Sequence, residues 1–199
     1  RTQMLAALAH DLRSPLTAIR VRSEMVEDAE TRASLISSGE EMQQMVEATL
    51  DFAKGVGQHE EIQPIDLKEI LTGIKADDYY LTNDQSLVLP VKPSAIRRAF
   101  RNLIENAIRY GSEAHVSWKI NDRYVEINID DKGQGIPEAD LEAVFSPYVR
   151  LETSRSLNTG GHGLGLSIAR SIVLEHGGTI SLFNRPEGGL RAHVRLPLD

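Results

Sequence analysis

Apolar side chains recur every three or four residues through the N-terminal part of the chain, a spacing that predicts two amphipathic helices. The first is predicted over residues 1–28 and the second over residues 31–54, with Gly55 just beyond its end. The apolar positions share one face of each helix: Leu5, Leu8, Leu12, Leu16 and Ile19, then Leu35, Met42, Met45, Val46, Thr49 and Phe52. A hairpin of this size cannot bury both apolar faces alone, so we expect two copies to form a four-helix bundle. The alternative is that these faces pack on the rest of the chain.

The pattern changes after an acidic linker at residues 58–66. From there, stretches with alternating apolar and polar residues predict strands, and stretches with helical periodicity lie between them. The predicted helices follow caps at Asp66 and Ser94, and a third covers residues 163–176. The predicted strands cover residues 87–89, 116–120 and 125–129, a segment before a turn at 184–189, and residues 190–196. Strands paired with three helices are typical of an α+β two-layer sandwich. We therefore predict an all-α domain over residues 1–57 and an α+β domain over residues 58–199.

Composition narrows the possible functions of the 199-residue chain. The net charge is −7, from 29 acidic and 22 basic residues, which argues against a broad nucleic-acid interface. The absence of cysteine excludes disulfides and thiolate metal sites. No apolar run approaches the ~20 residues that a membrane helix needs. The chain opens at Arg1 within a helical pattern, so we expect it to be part of a longer protein.

His10 lies on the side of the first helix that faces away from the apolar stripe, together with Ser14 and Thr17. Asp11 follows it directly. Pro15 has no N–H to bond the carbonyl of Asp11, so the helix is expected to bend just beyond His10. An exposed histidine with a neighbouring carboxylate and hydroxyl can act as a nucleophile or base. Alone, it is more often an ordinary helix-surface residue.

The helix that ends at Tyr110 carries Asn102, Asn106 and Arg109 at i, i+4 and i+7, on one face. Asparagine is a mediocre helix former, so two on one face of an apolar helix need a reason. Amide oxygens suit Mg²⁺, which takes few protein ligands, and Arg109 suits phosphate oxygens. The alternative is a solvated polar face.

Two glycine-containing segments follow on the chain. In the first, the strand alternation continues through Asp131, which turns its side chain inward, where a ligand such as the amine of adenine could donate to it. Gly133 and Gly135 allow close approach of a ligand to the backbone. In the second, Gly161, Gly163 and Gly165 precede a helix whose free N–H groups favour phosphate. Each pattern alone also occurs in ordinary turns. A Rossmann fingerprint is disfavoured because no strand leads directly into the second segment.

Taken together, these motifs in this order resemble the two-component sensor histidine kinases. Residues 1–57 resemble the dimerisation and histidine-phosphotransfer hairpin. Residues 62–199 resemble the Bergerat-type ATP-binding domain that these kinases share with type II topoisomerases, MutL and heat-shock chaperones. The short lid from Phe145 to Gly161, with Pro147, Arg150 and Arg155, is similar to that of osmosensor-type kinases. The segment 72–93 is shorter than usual in the family, so one strand is expected to be abbreviated.

The resemblance implies ATP and Mg²⁺ as cofactors and assigns a role to each candidate residue. His10 would accept the γ-phosphoryl group, and Asp11 would orient its ring and accept the proton. Asn106 would hold Mg²⁺, and Asp131 would recognise adenine. The other expected nucleotide contacts are Asn102, Arg109, Tyr110, Gly133, Gly135, Ile136, Gly161, His162, Gly163, Leu164, Gly165, Leu166 and Thr179.

The resemblance also implies partners. The chain would form a homodimer through residues 1–57 and pass the phosphoryl group to an aspartate of a response regulator docked near Ala18 and Arg22. Ser14 stands where the family usually has threonine or asparagine, so regulator phosphatase activity is an open question. The resemblance also implies a cytoplasmic location and a natural protein that continues N-terminally into a sensor in the inner membrane. Two alternatives are a non-catalytic ATP-binding scaffold and an ATP hydrolase in which Glu105 activates water.

Overall fold

The structure is a computed structural model that describes residues 14–54, 60–151 and 163–199. The chain divides into two compact units, Arg1–Gln58 and His59–Asp199.

The described part of the first unit is a pair of helices. Helix α1 covers residues 14–24 and helix α2 covers Ala29–Lys54. Helix α1 ends four residues before the predicted end of the first helix, at residue 24. Asp28 caps α2, since its carboxylate accepts a hydrogen bond of 2.8 Å from the amide of Thr31. His10 and Asp11, and with them the bend expected just beyond His10, lie outside the described residues.

The second unit contains two sheets and three helices among the described residues. In chain order its elements are β1 (Gln63–Asp66), α3 (Leu67–Thr72), β2 (Tyr79–Leu81), β3 (Val88–Val91), α4 (Pro93–Gly111), β4 (Ala114–Asn121), β5 (Tyr124–Asp130), α5 (Gly165–Glu175), β6 (Thr179–Asn184) and β7 (Leu190–Pro197). Short 3₁₀ turns at Glu138–Asp140 and Ala143–Phe145 lie between β5 and α5. The small sheet pairs β1 with β3.

The large sheet has the order β2-β4-β5-β7-β6. Strand β2, only three residues long, runs parallel to β4, and the remaining neighbours are antiparallel. Strict alternation gives β4, β5 and β7 one buried and one polar face. Helices α4 and α5 pack together, and α4 also contacts β4 and β5. This is the predicted two-layer sandwich. The core agrees with the sequence pattern except at Ile120, which is 38% exposed near the end of β4.

Helix α4 begins differently from the prediction. Lys92, not Ser94, is the N-cap residue, and Pro93 occupies the first helical position. The carboxylate of Glu60 accepts hydrogen bonds from the amides of Ser94 (2.8 Å) and Ala95 (3.1 Å). Burial by itself raises the pKa of Glu60, but these hydrogen bonds lower it by more, so the pKa lies below its usual value. The acidic linker therefore supplies the cap that Ser94 does not.

Asp66 caps α3 as predicted, since its carboxylate accepts a hydrogen bond of 2.9 Å from the amide of Lys68. None of the helices in the described parts of the chain is long and apolar enough to cross a membrane.

Candidate nucleotide site

The asparagine-bearing face of α4 lies beside the start of α5. Asn102 and Asn106 are half-buried, whereas Arg109 in the last turn is exposed. A Cβ placed on Gly165 would lie 3.8 Å from the Cβ of Asn102, so the first residue of α5 faces that asparagine. The amide nitrogen Nδ2 of Asn102 is buried and has no hydrogen-bond partner among the described residues. A buried donor without a partner is unfavourable, and a phosphate oxygen would satisfy it.

Asp131 lies just past the end of β5 and is 4% exposed. Its Oδ1 atom accepts two backbone hydrogen bonds, from Gly133 (2.8 Å) and Leu190 (2.9 Å). Its Oδ2 atom accepts none from the described residues. Burial raises the pKa of Asp131, and the two amide bonds oppose this only in part. A ligand N–H that donates to Oδ2 would favour the ionised carboxylate.

The chain is tightly packed around Asp131. A Cβ on Gly111, the last residue of α4, would lie 2.4 Å from that of Asp131. A Cβ on Gly133 would lie 2.6 Å from the carbonyl oxygen of Tyr110, which places the end of α4 against the 131–136 loop. Gly135 has a φ of +75°, and its Cβ would meet the side-chain oxygen of Asn184 at 2.4 Å. These glycines are needed because larger residues would not fit.

The second glycine segment is described from Gly163 onward, so Gly161 and His162 lie outside the described residues. Gly163 has a φ of +68°, and its carbonyl accepts a hydrogen bond of 2.9 Å from the amide of Tyr148. Leu164 is buried and Leu166 is half-buried, and Leu164, the N-cap residue of α5, makes no side-chain capping hydrogen bond. An uncapped helix start beside a buried unpaired amide favours an anion such as phosphate.

The structure brings together most of the candidate residues of the second unit, but not Thr179. That residue pairs with Arg195 at the far end of β6 from Asn184, five residues or roughly 17 Å along the strand. It cannot contact a ligand held by Asp131, so its expected role is wrong. The position beside Asp131 belongs instead to Leu190.

The turn that joins β6 to β7 was predicted at residues 184–189, but its contacts with the site were not. The side-chain amide of Asn184 bonds both backbone groups of Ile136, and a guanidinium nitrogen of Arg185 donates to the carbonyl of Asp131 at 2.8 Å. The sequence signal was a glycine pair, Gly188 and Gly189, in a turn that was read only as a hairpin.

These features define the class of protein: a two-layer sandwich with a candidate nucleotide site between the asparagine helix, the aspartate loop and a glycine-rich helix start. Two family models match. The His Kinase A (phospho-acceptor) domain matches residues 1–57, and the histidine kinase-, DNA gyrase B-, and HSP90-like ATPase matches residues 91–199. The chain therefore belongs to the sensor histidine kinases and comprises their catalytic core.

Curated relatives support this assignment. The chain is 38% identical to sensor histidine kinase GtrS of Pseudomonas aeruginosa over 99% of its length, which is 42% of that protein. It is 32% identical to sensor-type histidine kinase PrrB of Mycobacterium tuberculosis over 96% of its length, which is 47% of PrrB. The chain thus spans under half the length of these two relatives.

Solved structures agree in fold. The ATP-binding domain of PrrB from Mycobacterium tuberculosis covers 70% of this chain, and 99% of that domain is covered, with a TM-score of 0.56 and 30% identity. Full-length ShkA in complex with AMPPNP has a TM-score of 0.75 at 20% identity, covering 99% of this chain and 46% of ShkA. At that identity, the ShkA match shows the fold alone.

Proposed function

We propose that this chain is an ATP-dependent protein-histidine kinase that phosphorylates itself on His10 and passes the phosphoryl group to an aspartate of a response regulator. The observation that carries the proposal is a pair of polar atoms in the site that have no hydrogen-bond partner among the described residues: Nδ2 of Asn102, which is buried, and Oδ2 of Asp131. A phosphate oxygen supplies the first and an adenine amine the second.

The residues of the site divide the nucleotide between them. Asp131 and the loop through Ile136 hold the base, with Tyr110 beside them. Asn102, Arg109 and the helix start at Gly163–Leu166 hold the phosphates, together with Gly161 and His162. Asn106 fits Mg²⁺, which needs only one or two protein ligands when phosphates supply others. Bound there, Mg²⁺ would neutralise charge on the β- and γ-phosphates.

The chain's own chemistry is one substitution at phosphorus. A ring nitrogen of neutral His10 forms a bond to the γ-phosphorus, the bond from that phosphorus to the β,γ-bridging oxygen breaks, and ADP leaves. The carboxylate of Asp11 takes the ring proton. A carboxylate beside the imidazole fixes its orientation and raises its basicity, which favours attack.

Incubation with γ-labelled ATP and Mg²⁺ tests the proposal. We expect protein-bound label that is lost in acid, survives alkali and disappears in His10→Ala. Absence of label with retained ATP binding would favour the non-catalytic scaffold. Steady phosphate release that His10→Ala leaves unchanged would favour an ATP hydrolase, in which Glu105 is the candidate base.

The expected assembly is a homodimer through residues 1–57. Its support is the partial exposure of the apolar stripe: Ile19, Leu35 and Met42 are each 41% exposed in the single chain. A second copy would cover them.

The exposed face of α1, with Ser14, Ala18 and Arg22, is the proposed surface for the regulator. Ser14 is the candidate for positioning water in a phosphatase reaction. We place the reaction in the cytoplasm, where ATP is available, under control of a membrane sensor. Nucleic acid is not an expected partner of this acidic chain.

A further inference from the structure

The turn between β6 and β7 makes side-chain hydrogen bonds to the backbone of the 131–136 loop. The side chain of Asn184 accepts a hydrogen bond from the amide of Ile136 (2.9 Å) and donates one to its carbonyl (2.7 Å). This double pairing reproduces the contact that one strand makes with another. It fixes the backbone of Ile136 although Asn184 itself is exposed.

The same turn also holds the backbone of Asp131. Arg185 donates to the carbonyl of Asp131 (2.8 Å), and the amide of Asp131 donates to the carbonyl of Leu190 (2.9 Å). Gly189, with a φ of +91°, lies so close to Asp131 that a Cβ there would be 2.0 Å from the carbonyl oxygen of Asp131. Every polar backbone atom of Asp131 is therefore bonded to the turn or to the start of β7.

The charges are balanced around the same point. Asp130 accepts two short hydrogen bonds from Arg191, of 2.7 Å on Oδ1 and 2.6 Å on Oδ2, and Nε of Arg185 lies 3.7 Å from the same Oδ2 atom. Arg185 is in turn bonded to Glu187 at 2.6 Å. Two arginines thus offset two adjacent aspartates, which keeps the charge of Asp130 from opposing ionisation of Asp131 at full strength.

We propose that Asn184 and Arg185 are positioning residues that set selectivity for adenine: they fix the 131–136 loop so that Asp131 offers Oδ2 to the base at one position. This rests on the proposed function. Guanine carries a carbonyl oxygen where adenine carries the amine, so a fixed carboxylate repels it. A carboxylate that can move loses part of this discrimination.

The test is the affinity of the full chain for ATP and for GTP, each with Mg²⁺, in Asn184→Ala and Arg185→Ala. We expect ATP binding about tenfold weaker in each, because one or two hydrogen bonds are lost, with GTP binding little changed. The KM for ATP in autophosphorylation should rise with kcat unchanged. Arg185→Lys, which keeps the charge and one donor, should recover most of the affinity.

Ser181→Ala, on the exposed side of β6 away from the loop, is the matched control and should behave as wild type. The inference is overturned if Asn184→Ala and Arg185→Ala lower the melting temperature but leave the ratio of ATP affinity to GTP affinity unchanged. Asn184→Asp keeps the size and the acceptor and removes the donor, so it provides a second variant if Asn184→Ala does not fold. Asp131→Asn separates the two proposals. If it abolishes ATP binding while the turn variants leave the ratio intact, only this inference fails; if it has no effect, the proposed function fails as well.

Discussion

The two glycine-containing segments of the site look alike in sequence but differ in their packing. In the 131–136 loop, glycine is required by crowding: a Cβ on Gly133 or Gly135 would lie within 2.6 Å of another atom. At the start of α5, a Cβ on Gly163 would lie 2.9 Å from the backbone of Tyr148, but a Cβ on Gly165 would meet no atom of the described residues closer than 3.8 Å. The first segment is rigid because protein atoms fill it. In the second segment, the described residues leave open space at Gly165, beside the N–H groups at the start of α5, which is what a phosphate needs.

The largest expected effect comes from the turn that holds the first segment. Gly189→Ala should lower the free energy of unfolding by at least about 3 kcal/mol, because strain at positive φ adds to displacement of Asp131. Gly188 has a φ of +95° but nothing within 4 Å of its Cβ position, so Gly188→Ala should cost only about 1 kcal/mol. Urea unfolding of both variants measures the difference. Equal losses would mean that close packing on Asp131 contributes nothing.

Substitution of the glycines themselves should separate stability from binding. Gly133→Ala should destabilise the fold by about 1–3 kcal/mol, because the methyl group collides with the carbonyl of Tyr110. Gly165→Ala should leave stability unchanged or raise it by up to about 1 kcal/mol, since alanine favours helix. The variant should still weaken ATP binding about tenfold, or ~1.4 kcal/mol, because its methyl group would occupy the space proposed for the phosphates. Thermal melts and calorimetry provide the two readouts; ATP binding unaffected by Gly165→Ala would argue that the open space is not used.

The raised pKa of Asp131 gives stability and binding opposite dependences on pH. A carboxyl whose pKa is raised by folding stabilises the native state at low pH, and this contribution is lost as pH rises through the folded pKa. ATP affinity should change in the other direction, falling as pH drops and Oδ2 ceases to be an anionic acceptor. The fall should begin above the ordinary value of 3.8. Titration of ATP binding from pH 8 downward checks this, and an affinity that stays constant down to pH 3.8 would contradict it.

The smallest effect concerns the start of α4. In both α4 and α5, the N-cap residue makes no side-chain capping hydrogen bond. In α4, however, the carboxylate of Glu60 accepts hydrogen bonds from the amides of Ser94 and Ala95. Glu60→Gln should cost about 0.5–1 kcal/mol at neutral pH. Because its pKa is lowered on folding, the contribution is complete above the usual pKa of 4.5 and is lost as pH falls. Glu61→Gln is the control; a loss equal in both variants would mean that general charge, not the cap, is responsible.

These contrasts explain which features the sequence could predict. Burial follows from alternation and periodicity, so the inward residues of α4 and the inward turn of Asp131 were predicted correctly. The cap of α4 was missed because its acceptor, Glu60, lies 34 residues before Ser94. The role expected for Thr179 was wrong because a glycine pair precedes both Thr179 and Leu190, and only strand pairing shows which lies beside Asp131.

The difference between Gly133 and Gly165 was also beyond the sequence. Both residues stand in glycine-spaced motifs, and the atoms that decide their roles come from α4, more than twenty residues before the first and over fifty before the second. The contacts of Asn184 and Arg185 join segments that are likewise distant in the chain. Long-range packing of this kind leaves no local periodicity.

The central claim is that the nucleotide held between Asp131 and the start of α5 delivers its γ-phosphoryl group to His10. Trypsin should release residues 2–13 as one peptide with a single histidine. After incubation with ATP and Mg²⁺, mass spectrometry at alkaline pH should find one added phosphoryl group on His10 of that peptide, and none in Asp131→Asn. A phosphoryl group on any other peptide, or an equal yield from Asp131→Asn, would contradict the claim.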